Sequence, residues 1–319
     1  MTPLPDHPRN THVVVVGAGT MGADVAIVLA RGGARVTVVD PSPQKCDGLV
    51  AHVRAGLEPW GLESRANAMR VCAQLQEVIW SDVCLVVECI PEVLPAKQAL
   101  FAQLVLRAPS HTVLASNSSS FPISRIGEGL VTAARMVGLH FFMPAHLVPL
   151  VEVVLGSKTD LEMAQRLCSY MRGCGNVPVL VRKDKPGFLA NRLQHALARE
   201  AFALIDEGVA SAEDVDAAVR FGFGFRYLAA GPVLQRDHAG LDVHCAAAAT
   251  MYPSLSNATE PARVLQERVT AGHLGMKAGA GFYDWPAPKR EAERARYDRL
   301  LRQGLSLLAD ELPVVDPAG

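Results

Sequence analysis

A histidine and a glutamate at the ends of neighbouring apolar segments are well suited to acid–base chemistry. His140 follows the apolar segment 136–139, and Glu152 lies between two valines in the segment 150–154. A lone carboxylate among valines is costly to bury, so Glu152 needs a partner. If the two side chains meet, the carboxylate fixes the tautomer of an imidazole that can take a proton from a substrate. A glutamate facing solvent on an edge strand and a purely structural histidine are the alternatives.

A glycine-rich turn near the start of the chain has the spacing of a dinucleotide-binding motif. The apolar segment 13–16 runs directly into Gly17-Ala18-Gly19-Thr20-Met21-Gly22. Gly17 allows a tight turn, Gly19 lets the backbone approach a pyrophosphate, and Gly22 permits close packing of helix on strand. The N–H groups at the start of the following helix are free to bind phosphate. We therefore predict that this turn, including Thr20 and Met21, binds a dinucleotide.

An acidic residue after the next apolar segment indicates which dinucleotide is bound. Asp40 follows the segment 36–39, roughly 20 residues after the last glycine, where a carboxylate can accept hydrogen bonds from both ribose hydroxyls. A 2′-phosphate would be repelled by that charge, and no arginine occurs in 41–44. The sequence predicts NAD rather than NADP. The order of strand, glycines, helix and acid disfavours a glycine turn of another kind.

The elements that must position these residues change in character along the chain. Before Asp184, short apolar segments alternate with helix-like ones, which is typical of an α/β fold with a Rossmann-type doubly wound sheet. The predicted strands are 13–16, 36–39, 83–87, 112–115, 136–139 and 150–154, with 177–181 as a further strand, parallel or antiparallel, at the end of the sheet. The charged and glycine-containing stretch 182–187 then breaks the pattern. We predict an NAD-binding domain over 1–184.

The remainder, 185–319, is predicted to be an all-helical domain. Its segments have helical periodicity, and several begin near Ser, Asp or Thr. The predicted helices are 188–207, 211–220, 231–250, 259–271 and 289–310.

Composition limits the partners of the chain. Its 319 residues are 50% hydrophobic with a net charge of −1, so bulk charge favours neither nucleic acid nor a membrane surface. Seven cysteines are scattered without a C-x-x-C pair, which indicates reduced thiols and no metal site. The polar, proline-rich start and the lack of a long apolar run predict a cytoplasmic protein.

Motifs along nearly the whole chain resemble those of the L-3-hydroxyacyl-CoA dehydrogenase family. They are the glycine turn with Asp40, Glu92 and Lys97 in Pro91-Glu92-Val93-Leu94-Pro95-Ala96-Lys97, Ser116-Asn117-Ser118-Ser119, His140-Phe141-Phe142-x-Pro144, Glu152, 185–192, Gly231-Pro232, Asp237, Gly240-Leu241-Asp242 and 275–283. The resemblance implies the family's fold and a small-molecule hydroxyacyl substrate. It also implies that the helical domain 185–319 takes part in substrate binding and forms a homodimer.

The resemblance assigns roles to individual residues. It implies that His140 is the general base, that Glu152 orients it, and that Ser119 and Asn191 donate hydrogen bonds to the substrate oxygen. A base that takes the hydroxyl proton is what oxidation of an alcohol requires.

Further residues are assigned to the cofactor. The resemblance places Glu92, Lys97 and Asn117 along the NAD site. It gives no role to Glu88, for which we expect one in packing or in support of the site.

Departures from the family pattern concern the substrate. Met143 stands where the family usually has asparagine, which removes a polar contact and makes this wall of the site more apolar. The segment 43–81 looks short and has Lys45 as its single lysine, so few cations are available for the phosphates of CoA. Arginine also binds phosphate well, which limits the weight of this observation.

A segment of the second domain points to a particular branch of the family. The segment 221–227, followed by Gly231-Pro232, is similar to the branch of lambda-crystallin and L-gulonate 3-dehydrogenase. That branch acts on free hydroxy acids, and Arg226 is suited to bind a carboxylate. A structural ion pair is the alternative role for Arg226.

We therefore predict an NAD-dependent oxidoreductase that interconverts a 3-hydroxyacyl-CoA thioester and its 3-keto product. A dehydrogenase of a free 3-hydroxy acid such as L-gulonate or carnitine is the alternative. A non-catalytic NAD-binding structural protein is a third, less favoured interpretation.

Overall fold

The chain folds into two compact units. The computed structural model describes residues 4–316. One unit contains the described residues up to Asn191 and those from Ala309 onward, and the other comprises Arg192–Leu308. We call them the sheet unit and the helical unit. Residues 185–191 group with the sheet unit, and the domain boundary at residue 184 stays a prediction.

The sheet unit is built on one eight-stranded sheet. Its strands are β1 (His12–Val16), β2 (Arg35–Val39), β3 (Arg70–Cys72), β4 (Val83–Glu88), β5 (Val113–Ser116), β6 (Met136–Phe141), β7 (Leu150–Val154) and β8 (Val177–Val181). Their order is β3-β2-β1-β4-β5-β6-β7-β8. Strands β1 to β6 are parallel, β7 is antiparallel to β6, and β8 is parallel to β7. The predicted doubly wound α/β sheet is confirmed.

Helices cover both faces of this sheet. They are α1 (Thr20–Arg31), α2 (Pro43–Cys46), α3 (Leu49–Leu57), α4 (Leu94–Arg107), α5 (Ile123–Ile126) and α6 (Leu161–Gly173). Because successive side chains of a strand point to opposite faces, Val13 and Val15 enter one core cluster while Val14 and Val16 enter another. The sheet is thus buried on both faces, as expected for parallel strands connected by helices.

Two features of the sheet were not predicted. Strand β3 has three residues and its first is exposed, so it carries no apolar pattern. The reversal at β7 follows from the short connection after β6, since a parallel connection needs a crossover of about a dozen residues or more.

The second unit is helical, as predicted. Its helices are α7 (Ala190–Asp206), which begins in the sheet unit, α8 (Ala212–Ala218), α9 (Gly224–Arg226), α10 (Leu234–Ala239), α11 (Leu241–Met251), α12 (Arg263–Thr270) and α13 (Ala287–Leu307). The single helix predicted over 231–250 is wrong, because Gly240 has φ 94° and separates α10 from α11. Only glycine adopts that conformation readily.

Shorter turns complete the described chain. They comprise the 3-10 turns Glu58–Trp60, Glu63–Ala68, Leu75–Glu77, Ala133–Arg135, Tyr252–Ser254 and Met276–Ala278 and the π turn Val219–Phe223. Within residues 4–316, no helix has the length and apolar character needed to cross a bilayer. The same residues contain no cluster of His, Cys, Asp and Glu side chains that would hold a metal ion.

Candidate active site

The antiparallel pairing of β6 with β7 places His140 directly opposite Glu152. The Nδ1 of His140 lies 2.7 Å from Oε2 of Glu152. Both side chains are buried, with His140 2% exposed and Glu152 0% exposed. Glu152 is therefore not a solvent-facing residue of an edge strand, and the structure brings the predicted pair into contact.

The second oxygen of Glu152 is held by backbone. Its Oε1 accepts hydrogen bonds from the N–H groups of Leu189 at 3.0 Å and Ala190 at 2.8 Å. Burial alone would raise the pKa of Glu152, but the bonds from His140 and these two N–H groups hold it below its ordinary value. Glu152 stays ionised at neutral pH and keeps the proton of His140 on Nδ1.

The other nitrogen of His140 faces a polar position. Its Nε2 lies 3.0 Å from the Oγ of Ser119, which is on the exposed loop after β5. The rings of Phe142 and Phe188 meet the imidazole edge-on, with centroids 4.6 and 5.5 Å away. An imidazole fixed in this way presents a basic Nε2 toward the serine and is able to accept a proton there.

Asn191 lies close to this arrangement along the chain. It follows Ala190, whose N–H binds Glu152, in the first turn of α7. Among the described residues, its side chain has no hydrogen-bond partner, so the amide is free to bind a ligand.

The glycine turn has the space that a dinucleotide needs. A Cβ on Gly17, which has φ 109°, would lie 2.7 Å from the carbonyl oxygen of Cys89, and one on Gly22 would lie 1.8 Å from that of Gly17. A Cβ on Gly19 would meet nothing within 4 Å. The first two glycines are required by the fold, whereas Gly19 borders open space that a pyrophosphate can occupy.

The remaining groups of this turn also fit NAD. Helix α1 begins at Thr20 and its first intrahelical bond runs from Ala23 to Gly19, which leaves the N–H groups of Thr20 and Met21 for phosphate. Asp40 accepts from the N–H groups of Ala18 at 2.8 Å and Ser42 at 2.9 Å. Its carboxylate is thereby fixed and retains lone pairs for ribose hydroxyls.

The other predicted cofactor residues lie around the loop after β5. Asn117 accepts a hydrogen bond from the N–H of Phe141 at 2.9 Å. Glu92 accepts hydrogen bonds from three groups of the loop 118–120. Lys97 is 1% exposed and forms ion pairs with Glu88 and Glu92. The structure thus places Glu92 in contact with the backbone of Ser119 and Lys97 in contact with Glu92. The role of both residues as NAD contacts stays a prediction.

The two predicted substrate residues are both exposed. Met143 is 66% exposed in the turn after β6, three residues beyond His140. Arg226 is exposed on α9 of the helical unit. Their roles toward the substrate stay predictions.

Sequence reasoning missed Asp24 and the partners of Glu88. Asp24 is buried in α1 and accepts from the N–H of Ala145, in the turn that carries Met143. The available signal was an acidic residue inside an apolar helix, since a buried carboxylate requires partners.

Comparison with known proteins identifies the family. Residues 12–185 match the family described as 3-hydroxyacyl-CoA dehydrogenase, NAD binding domain, and residues 187–285 match its C-terminal domain. The 5-formyl-3-hydroxy-2-methylpyridine 4-carboxylate 5-dehydrogenase of Mesorhizobium japonicum is 31% identical over 294 residues, 89% of this chain and 95% of that protein. A probable 3-hydroxybutyryl-CoA dehydrogenase of Bacillus subtilis is 31% identical over 283 residues, 86% of this chain and 96% of that protein.

Solved structures agree with these matches. A crystal structure of a 5-formyl-3-hydroxy-2-methylpyridine 4-carboxylic acid 5-dehydrogenase, described as an NAD+ dependent dismutase, has a TM-score of 0.88 and 30% identity, covering 93% of this chain and 98% of that one. The (S)-3-hydroxybutyryl-CoA dehydrogenase of Ralstonia eutropha has a TM-score of 0.70 and 28% identity, covering 87% and 99%. The chain therefore belongs to the 3-hydroxyacyl-CoA dehydrogenase family of NAD-dependent oxidoreductases.

Proposed function

We propose that this protein oxidises an alcohol with His140 as the general base. The observation that carries this proposal is the chain of contacts from Ser119 Oγ through His140 to Glu152, at 3.0 and 2.7 Å. The chemistry that NAD supplies when bound is acceptance of a hydride from the carbinol carbon. His140 and Ser119 then have to take up the hydroxyl proton and stabilise the charge that develops on the substrate oxygen.

Each side chain has a distinct task in this mechanism. The Nε2 of His140 takes the hydroxyl proton, and the buried carboxylate of Glu152 stabilises the imidazolium that results. Ser119 Oγ and the Asn191 amide donate hydrogen bonds to the substrate oxygen as charge develops on it. In the reverse reaction the imidazolium returns the proton to the alkoxide.

We propose a small free hydroxy acid as the substrate. The cations of the segment 43–81 are largely occupied by the protein itself: Lys45 lies 3.7 Å from Asp40, and Arg54 donates to Asn67 at 3.0 Å. Arg65 donates to the backbone carbonyls of Arg31 and Asp316. Few charges are left for the phosphates of CoA. The higher TM-score to a dehydrogenase of a pyridine carboxylic acid, 0.88 against 0.70, also supports this choice.

A 3-hydroxyacyl-CoA thioester is the second candidate. The family model carries that substrate in its description, and the Bacillus subtilis relative is a probable 3-hydroxybutyryl-CoA dehydrogenase. In that case the pathway would belong to fatty-acid metabolism.

The test is NADH production by the purified protein with a panel of substrates. The panel contains L-3-hydroxybutyryl-CoA, L-gulonate and carnitine, with NADP replacing NAD as a control. We expect kcat/KM to favour a free acid at least tenfold, about 1.4 kcal/mol in transition-state binding. A tenfold preference for the thioester would overturn the proposed substrate but not the proposed reaction.

Arg226 supplies a second test of the substrate. If its guanidinium binds the carboxylate, Arg226→Ala raises KM for a free acid about tenfold or more, as loss of a charged hydrogen bond does. Arg294→Ala, on the exposed face of α13, is the matched control. Equal behaviour of the two variants would leave Arg226 without a role in binding.

We further propose that the protein acts as a homodimer in the cytoplasm. In the helical unit, apolar side chains such as Val233 and Val243 are 78% and 62% exposed, and a second copy of the chain would cover them. All seven cysteines are free, as is usual in a reducing compartment. Sedimentation velocity at several concentrations tests the dimer.

A further inference from the structure

Helix α1 buries two charged side chains that the proposed mechanism does not use. Asp24 and Arg31 are each 3% exposed, and the other buried residues of this helix are glycine or apolar. Because the two are seven residues apart, they lie on one face of the helix and roughly 10 Å apart along its axis, too far to pair with each other. An unpaired buried charge is costly, so each of them needs partners from other segments.

The partners of Asp24 come mainly from the connection between β6 and β7. This connection comprises residues 142–149, and we call it the β6–β7 turn. The Oδ2 of Asp24 accepts a hydrogen bond from the N–H of Ala145 at 3.2 Å. Its Oδ1 lies 3.2 Å from Nδ1 of His146 and 3.3 Å from Nε2 of His52 on α3. One carboxylate thus contacts both the backbone and a side chain of the turn.

Arg31 is connected to the same turn nearer its end. Its Nη1 donates to the carbonyl oxygen of His146 at 3.4 Å, and its Nη2 donates to Oδ1 of Asn176 at 3.2 Å. The Nδ2 of Asn176 in turn donates to the carbonyl oxygen of Pro149 at 3.2 Å. Both buried charges of α1 therefore hold the β6–β7 turn.

The position of this turn matters for the site because it carries Met143 and joins the strands of His140 and Glu152. His140 and Glu152 face each other in the ladder between β6 and β7, which fixes their register. Residues 142–149 lie outside these strands, so their position depends on contacts such as those with α1. Loss of those contacts would move the turn and leave the histidine and the glutamate paired.

We propose that Asp24 is a positioning residue for substrate binding, acting through the β6–β7 turn on the wall of the site that Met143 forms. Without its carboxylate, the N–H of Ala145 and the imidazole of His146 lose their shared partner, and the wall fits the substrate less well. This inference rests on the proposed function in one respect, that Met143 borders the substrate. The connection between Asp24 and the turn does not depend on the substrate.

The first experiment tests this connection without a substrate, by hydrogen–deuterium exchange and mass spectrometry. In Asp24→Ala, the peptide covering 142–149 should exchange at least tenfold faster than in the wild type, because the turn opens locally. The labelling times are kept so short that peptides from β1 stay protected in the wild type. Unchanged exchange in 142–149, or loss of protection in β1 together with it, would overturn the proposal.

The matched control removes a carboxylate from the opposite edge of the sheet. Asp82 lies 2.8 Å from His12, the first residue of β1. Asp82→Ala therefore also removes an acidic partner of a buried histidine, and it should leave both the exchange of 142–149 and KM at their wild-type values. The same acceleration of 142–149 in this variant would contradict a specific role for Asp24.

The second experiment separates substrate binding from proton transfer. The probe is whichever of L-gulonate, carnitine and L-3-hydroxybutyryl-CoA the wild-type protein turns over with the highest kcat/KM. Asp24→Ala should raise KM about tenfold and leave kcat and NAD affinity within about threefold of wild type, because the wall contributes to binding alone. A fall in kcat at unchanged KM, or a tenfold loss of NAD affinity, would overturn the proposal. If no member of the panel is turned over, the proposed substrate fails, while the exchange experiment still decides whether Asp24 holds the turn.

A conservative variant guards against misfolding. Asp24→Asn keeps an oxygen that can accept the N–H of Ala145 but loses the charge beside His146 and His52. We expect its exchange rate in 142–149 and its KM to lie between those of the wild type and Asp24→Ala. If Asp24→Ala does not fold, both quantities should still rise about threefold in Asp24→Asn, and wild-type values of both would contradict the inference.

Discussion

The sheet unit and the helical unit differ most in what they bury. Among the described residues, every buried apolar side chain belongs to the sheet unit except Val264 of α12. Helices α7, α11 and α13 have no buried residue. In the same helical unit, Phe221, Val233 and Tyr252 are 71%, 78% and 63% exposed.

This difference indicates that the two units obtain their stability in different ways. Burial of apolar surface contributes roughly 25 cal/mol per Å² and must offset the conformational entropy lost on folding. The sheet unit meets that requirement with cores on both faces of its sheet. The helical unit has no comparable core, and this is the observation on which the proposed homodimer rests.

The largest loss of kcat is expected from replacing His140, the proposed general base. His140 and the residues it contacts all lie in the sheet unit. Replacing His140 with alanine removes the proton acceptor and should lower kcat about 10³-fold. NAD affinity should stay within a few-fold, because the glycine turn is separate from β6. Steady-state kinetics and calorimetry measure the two quantities, with His111→Ala as control. A large loss of NAD affinity would mean that His140 is structural.

The proposed homodimer is tested next, through the helical unit. A carboxylate at position 243 of α11, in Val243→Glu, would be buried without a partner in a dimer interface, so the dimer dissociation constant should rise about 100-fold. Sedimentation velocity gives the constant. Val131→Glu, at a residue 96% exposed in the sheet unit, is the control and should not change it. An unchanged constant for Val243→Glu would place the covering surface elsewhere.

A buried charge tests the electrostatics of the sheet unit. Burial would raise the pKa of Asp24, but contacts with His146 at 3.2 Å and His52 at 3.3 Å lower it from 3.8 to about 2. A lowered carboxyl pKa adds stability that is present above the unfolded value and is lost as pH falls through the folded one. Asp24→Asn should therefore reduce the free energy of unfolding by about 2 kcal/mol at pH 7.

The pH dependence of this loss separates charge from packing. The deficit of Asp24→Asn relative to wild type, measured by urea unfolding, should shrink as pH falls from 4 toward 2. The exposed Asp47→Asn serves as control. A deficit that is the same at every pH would show that Asp24 acts through packing alone.

The smallest effect is expected at Met143. Because this side chain is 66% exposed, Met143→Asn opens no cavity and should leave the free energy of unfolding unchanged. The added amide supplies the polar contact typical of the family and should shift the kcat/KM ratio toward the thioester about threefold, as one exposed hydrogen bond does. Substrate competition measures the ratio. A shift of the ratio toward the free acid would contradict the interpretation that Met143 removes a polar contact for the thioester.

Much of the sheet unit could be predicted because its signals are local. The glycine turn is recognisable since Gly17 and Gly22 have no room for a Cβ. The apolar segments match β1, β2 and β4 to β8 within one or two residues at each end. Strand β3 escaped prediction because three residues, the first exposed and the last buried, are too few to show a periodic pattern.

In the helical unit, the split between α10 and α11 escaped prediction for a related reason. Gly240 was visible in the sequence, but an isolated glycine within a helical pattern is often tolerated. The positive φ of Gly240, which ends α10, depends on the direction that the chain takes between α10 and α11.

The sequence by itself determined the fold class, the cofactor motif and the residue types able to do proton chemistry. The tertiary structure decided which of those residues meet. His140 faces Glu152 because β7 runs antiparallel to β6 in one register, and a shift of one residue would turn Glu152 to the other face of the sheet. Lys97 on α4 meets Glu88 at the end of β4 and Glu92 in the turn between the two elements. Local patterns encode periodicity and backbone conformation, whereas the partners of a buried charge depend on strand direction and register across distant segments.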